Sequence, residues 1–175
     1  MTLRPNSSGP RGLSLVETVM SVMIVGGMLA AALNAAGAAR IGAHKSGDRA
    51  KGALLAQDLM SEILTQPYHD PDQESANLGN DTGEPFAGNR ILFDDVDDYN
   101  TWDASPPQKQ DGTVMSNLAG WRRRVTVAYG NPSDLKAAAV DTGILLIVVT
   151  VTHNDVETAK WTAIRTLAYD TMIGS

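Results

Sequence analysis

Between Thr18 and Ala39 the chain carries no formal charge over about 22 residues, and the carboxylate of Glu17 stands directly ahead of that run. Crossing the hydrocarbon core of a bilayer takes roughly 20 residues at a rise of about 1.5 Å each. The stretch from Leu13 to Ala39, LSLVETVMSVMIVGGMLAAALNAAGAA, therefore reads as a membrane helix, and the rest of the fold has to be built around it. A short polar leader with Arg4 and Arg11 precedes it, and Arg40 and Lys45 follow. Both flanks are basic, so the positive-inside rule alone leaves the orientation open. The leader is too short to be a domain, which puts the expected bulk of the chain on the exported side.

Three readings fit such a segment. An ordinary secretory signal peptide would end at small residues, which Gly37-Ala38-Ala39 supply. A plain anchor needs only the apolar run. The third reading is a segment cut ahead of the helix, with the helix retained. Glu17 discriminates among them, because a carboxylate at the bilayer centre costs on the order of 2.5–3.5 kcal/mol and neither of the first two has a use for it.

The residues Arg11-Gly12-Leu13-Ser14-Leu15-Val16-Glu17 resemble the processing motif of type IV pilins and type II secretion pseudopilins. The resemblance implies cleavage by prepilin peptidase between Gly12 and Leu13, N-methylation of Leu13, and an assembly role for Glu17, fifth from the new terminus. Leu13 stands where the family usually has phenylalanine or methionine. Cleavage would create a charged amine at Leu13, and a buried amine and carboxylate each need a partner in lipid. By resemblance, Glu17 would pair with the terminal amine of a neighbouring subunit and set register. In the first turn of the helix its charge also suits the macrodipole. The plain alternative is a lone charge snorkelling to the headgroups.

Helical spacing continues past the apolar run. Leu54, Leu55, Leu59, Ile63 and Leu64 fall along one face, and Pro67 ends the element at about Gln66. Gly26-Gly27 is a place for either a bend or close helix packing. From Tyr68 to about Asn117 the chain is rich in Asp, Asn, Gly, Pro and Gln and reads as irregular, with one strand candidate at Arg90–Phe93. Within it, Asp94, Asp95, Asp97 and Asp98 form the one metal candidate, since calcium prefers clustered carboxylates. The segment lacks the glycine and closing glutamate of an EF-hand loop, and a solvated acidic loop is the plainer reading. No other cofactor is expected.

The last part is strand-rich. Trp121 to Tyr129 alternates, with Arg122, Arg124, Thr126 and Ala128 on one face and Arg123, Val125, Val127 and Tyr129 on the other. Ile144 to Thr152 suits a central strand, Thr158 to Ala168 another, and His153-Asn154-Asp155 a hairpin turn. The expected fold is α+β: a long N-terminal helix packed on a small antiparallel sheet of three or four strands. The expected organisation is a leader over 1–12, a membrane helix over 13–39, its amphipathic continuation over 40–66, a variable loop region over 67–119 and the sheet over 120–175. That order is also the pilin layout, and Gly120-Trp121-Arg122-Arg123 with the short sheet resembles minor subunits of the I or V type.

The sequence carries no recognisable catalytic signature. His44, His69 and His153 are scattered, and Gly12 to Val16 lacks the second glycine of a nucleophile elbow. With no cysteine, thiol chemistry, zinc fingers and disulfides are excluded. A net charge of -6 argues against a nucleic-acid surface. Arg122, Arg123 and Arg124 beside Trp121 fit strand-face salt bridges or a subunit contact better than base stacking.

By resemblance, then, the chain is expected to be a structural subunit of a type II secretion pseudopilus or type IV pilus, and no enzyme. Its implied partners are prepilin peptidase, other pilin or pseudopilin subunits, the inner-membrane assembly platform and membrane lipid. Its implied place is the cytoplasmic (inner) membrane of a bacterium, with the N-terminus cytoplasmic and the C-terminal domain periplasmic or extracellular. The alternative is an exported binding or enzymatic domain behind an ordinary signal peptide or single anchor.

Overall fold

The computed structural model describes residues 12, 14–69, 78–79 and 89–173. Two compact units divide the chain, Met1–Lys45 and Ser46–Ser175. Arg4, Arg11 and Leu13 lie outside the described residues.

One helix, α1 (Leu15–Ile63), accounts for nearly all of the described first unit. Its N-terminal part is exposed on every side, as expected of a helix whose apolar residues do not select one face. It passes through Gly26-Gly27 unbroken. The few hydroxyls there are satisfied inside the helix: Thr18 Oγ1 donates to the Ser14 carbonyl at 3.2 Å and Ser21 Oγ to that of Glu17 at 2.7 Å. This helix is long and apolar enough to cross a membrane, with a mean hydropathy of 1.9 in its most apolar stretch.

In the second unit α1 becomes one-sided. Gly52, Leu55, Ala56, Leu59, Met60 and Ile63 are buried, at spacings of three and four. Leu54 and Leu64, expected on that face, are instead 67% and 37% exposed. The stripe is narrower than the leucines suggested: at Gly52 Thr158 and Ala159 of the sheet approach too closely for any side chain, and Ala56 is fully buried. Beyond Ile63 the backbone tightens, with Thr65 N bonded to Glu62 O at 3.2 Å and Gln66 N to Ile63 O at 3.1 Å. Pro67 then forbids continuation.

Four antiparallel strands follow in spatial order: β1 (Asp103–Ala104), β2 (Trp121–Tyr129), β3 (Ile144–His153) and β4 (Val156–Thr166). Asn154 and Asp155 make the two-residue β3–β4 turn at φ 49° and 62°, the left-handed pair that a type I′ hairpin needs. A bulge interrupts the β3–β4 register at Val151/Thr152. The final element is a correction to the expected strand end at Ala168: the chain turns into α2 (Leu167–Ile173). Thr166 caps it, its hydroxyl accepting the Tyr169 amide at 3.3 Å.

Alternation chooses the inner face. Trp121, Arg123, Val125 and Val127 of β2 and Leu145, Ile147, Val149 and Val151 of β3 are all buried. The described part of the irregular region completes this core, contributing Phe93, Val96, Tyr99, Trp102, Ala104 and Leu118. Arg90–Phe93 is a turn and not a strand, closed by Phe93 N to Arg90 O at 3.3 Å. Arg90 and Phe93 are buried while Ile91 and Leu92 are more than half exposed, a spacing of three that a strand does not provide.

Candidate functional site

The processing motif lies at the start of the described chain. Gly12 is exposed, and a Cβ built on it meets no atom within 4 Å. Leu13 lies outside the described residues, so the expected scissile bond is not seen. Glu17 sits in the first turn of α1, exposed, and makes no ion pair among the described residues. Around it Leu15, Val16, Val19 and Met20 are all exposed, by 81%, 64%, 46% and 59%. The carboxylate therefore stands on an apolar surface.

The acidic segment is not a loose solvated loop. It folds back on itself around a 3-10 turn at Asp97–Tyr99. Asp95 Oδ1 accepts the amides of Asp97 at 2.7 Å and Asp98 at 3.1 Å, while Asp98 Oδ2 accepts those of Asp94 at 2.9 Å and Asp95 at 3.2 Å. This is a reciprocal cap, each carboxylate serving the amides at the other's end. Asp95, Asp97 and Asp98 bring carboxylate oxygens within 4.8 Å of one another, whereas Asp94 falls outside that trio. Burial, then repulsion from Asp98, pushes Asp95 up to about 6; burial and Asp95 push Asp97 up to about 8. Such oxygens suit a hard cation chemically, but the trio's bonds are those of a turn holding itself together.

Sequence reasoning missed the third cluster. Arg90 and Arg123 are both fully buried. Arg90 grips Glu62 with Nε at 2.7 Å and Nη2 at 2.9 Å, and Tyr99 donates to the same carboxylate at 3.0 Å. Arg123 reaches Asp58 at 3.0 Å. The two guanidinium groups share the Gln108 carbonyl and lie over the Trp102 ring, at 4.1 Å and 5.8 Å from its centroid. Burial and the neighbouring Arg90 lower the Arg123 pKa. The alternation of β2 had already placed Arg123 with Val125 and Val127, which was the available signal. Arg90 carried none.

The arginine triplet is split by the pleat. Arg122 and Arg124 point outward and share Asp103, at 3.1 Å and 2.6 Å, so strand-face salt bridges are what the outer face holds. Trp121 is buried, stacked on His153 with centroids 4.4 Å apart, and His153 bonds Asp48 at 3.1 Å. His69 faces Asp141 at 3.7 Å, and His44 lies on the exposed part of α1. No family model matches this chain, and no curated protein or solved structure matches it.

Proposed function

We propose that this chain is a minor pilin or pseudopilin, a structural subunit of a type II secretion pseudopilus or type IV pilus. The observation that carries the reading is Glu17: one carboxylate at the head of an exposed, membrane-length stretch of α1 that is otherwise uncharged as far as Ala39, five residues after an exposed glycine. Within one chain that charge has no counter-ion among the described residues, which makes sense if its partner is the N-terminal amine of another subunit. Nothing in the described chain crowds Gly12, so a need for glycine there would come from an enzyme that grips it. The subunit would sit in the inner membrane with its C-terminal unit exported, as a substrate of prepilin peptidase and not a catalyst. Other pilin-type subunits and the assembly platform would be its partners.

Mass spectrometry of the mature amino terminus tests this. A terminus at Leu13 bearing an added methyl is expected, and Gly12→Val should block it while Gly12→Ala is milder. Glu17→Ala should be cut normally yet fail to enter sheared filaments or inter-subunit cross-links. A terminus near Arg40 would sink the reading in favour of an ordinary signal peptide, and an uncut chain would reduce it to a simple anchor.

A further inference from the structure

The cations of α1 are treated unlike the arginines of the sheet and loops. Arg90, Arg122, Arg123, Arg124 and Arg165 each hold a carboxylate at 3.1 Å or less. Arg40, Lys45 and Arg49 are all exposed, and none makes an ion pair among the described residues. The chain carries a net charge of -6, so carboxylates are not scarce. The charged neighbours on the helix are already engaged. Asp48 bonds His153 at 3.1 Å, and Lys51 donates to the Asn117 carbonyl at 3.3 Å and lies over the Trp121 ring. Three cations are thus left without a counter-ion, and Lys45 and Arg49 stand four apart, where like charges on a helix repel.

They begin at Arg40, directly after the uncharged run ends at Ala39. At about 1.5 Å per residue, Lys45 stands about 9 Å and Arg49 about 15 Å along the helix from that point. The headgroup layer outside the hydrocarbon core is roughly 5–8 Å deep, and the long stems of lysine and arginine reach back toward it. At about 100° per residue, Lys45 lies about 140° and Arg49 about 180° around the axis from Arg40. The three therefore form a collar and not a stripe. A protein docked along one face would meet only part of it, whereas a layer of phosphates surrounds the helix. We propose that Arg40, Lys45 and Arg49 bind the headgroups of anionic phospholipids, in the leaflet at the C-terminal end of the apolar run. The inference rests on the membrane-spanning part of the reading above, and not on cleavage or assembly. The lipid phosphates supply the missing counter-ions and hold Ala39 at the hydrocarbon boundary.

The test reconstitutes the full chain in phosphatidylcholine bilayers containing a trace of phosphatidylglycerol or phosphatidylcholine, spin-labelled on the acyl chain. Electron paramagnetic resonance then gives the motionally restricted fraction of each lipid at the protein. Phosphatidylglycerol should be enriched several-fold over phosphatidylcholine at low salt, and the two should converge in about 1 M salt, where charges are screened within about 3 Å. Arg40→Gln/Lys45→Gln/Arg49→Gln should lose most of the enrichment. Arg122→Gln/Arg124→Gln, which removes exposed cations of the second unit, should keep it. The leader's Arg4 and Arg11 are present in all three proteins, so the loss belongs to the collar. Restricted lipid without selectivity, or selectivity unchanged in the triple variant, overturns the proposal and leaves the membrane span standing. No restricted lipid of either kind overturns both. Selectivity removed by inorganic phosphate but not by chloride of equal ionic strength identifies a free-anion site and overturns it as well. So does a triple variant that keeps its lipid selectivity but loses cross-linking between copies, since the occupant is then a second chain. Glu17→Ala should not lower the enrichment, which keeps this inference separate from the assembly role of that carboxylate.

Discussion

Replacing Glu62 with alanine removes the carboxylate that neutralises Arg90, and the cost follows from burial. The Arg90 side chain is 0% exposed and Glu62 18%. Two charge-assisted bonds are lost, at 2.7 Å and 2.9 Å, and Arg90 keeps the Gln108 carbonyl at 3.4 Å. Stranding one partner of a buried pair costs about 3–5 kcal/mol. The partial exposure of Glu62 argues for the lower end, so we expect about 3 kcal/mol for Glu62→Ala. Asp103→Ala is the control. It breaks contacts to Arg122 and Arg124 whose side chains are 45% and 56% exposed, and such pairs are worth about 1 kcal/mol or less. Denaturant unfolding of the full chain in micelles, followed by tryptophan fluorescence from the second unit, separates the two. In Tm terms, about 3 kcal/mol corresponds to roughly 10 °C for a domain of this size. The double variant Arg90→Met/Glu62→Leu should recover most of the loss, because it removes both charges together. If Glu62→Ala costs no more than Asp103→Ala, Arg90 has found water or swung out, and the buried network described above is wrong.

Other outcomes can be set beside it. Gly52→Ala places a Cβ 2.9 Å from Thr158 Cβ and closer still to its hydroxyl, so it should cost about 1–3 kcal/mol in unfolding experiments despite better helix propensity. Gly47→Ala meets nothing within 4 Å and should instead stabilise by up to about 1 kcal/mol. Asp155→Gly, at a position with φ 62°, should stabilise by about 0.5–1 kcal/mol on the same measurement. Asp97 is raised from 3.8 to about 8, so the folded chain holds a proton that the unfolded chain releases. Its contribution is complete below about pH 4 and is lost as pH rises toward about 8, so unfolding midpoints should fall over that range. Asp97→Asn should flatten the slope, and a midpoint that rises with pH in both proteins would refute the assignment.

The strands β2 and β3 were legible because a period of two written in valine and isoleucine has few other interpretations, and Trp121–Tyr129 falls on β2 end to end. The helix was legible for a similar reason, although its contact stripe was not. Leu54 looked like a core residue by type, yet the helix meets Thr158 and Ala159 of the sheet at Gly52, whose value lies in what it lacks. The end of β4 was misread because Leu167 to Ile173 is short and Thr166, its cap, also suits a strand. For the processing site, the motif residues stand in the order the resemblance requires, and the structure adds only that Gly12 and Glu17 are exposed on their own chain.

The irregular region was the hardest to read because its order is not local. Between Asn89 and Gly120 regular structure is confined to one 3-10 turn and the two residues of β1, yet Phe93, Val96, Tyr99 and Trp102 are buried. Hydrophobic contact alone would leave their register loose, since aromatic rings tolerate sliding. The arginines remove that freedom. Arg90 anchors the segment to Glu62, and Arg123 anchors β2 to Asp58, one helical turn earlier on the same flank of α1. The Gln108 carbonyl joins both, and the Trp102 ring lies beneath them. Each bond is short in space and long in sequence, so no window along the chain contains both partners. Asp58 and Glu62 look like ordinary charges on a solvated helix face until the residues they hold are known. Their spacing of four was visible from the start, but its meaning depends on two arginines that only the folded chain brings to them.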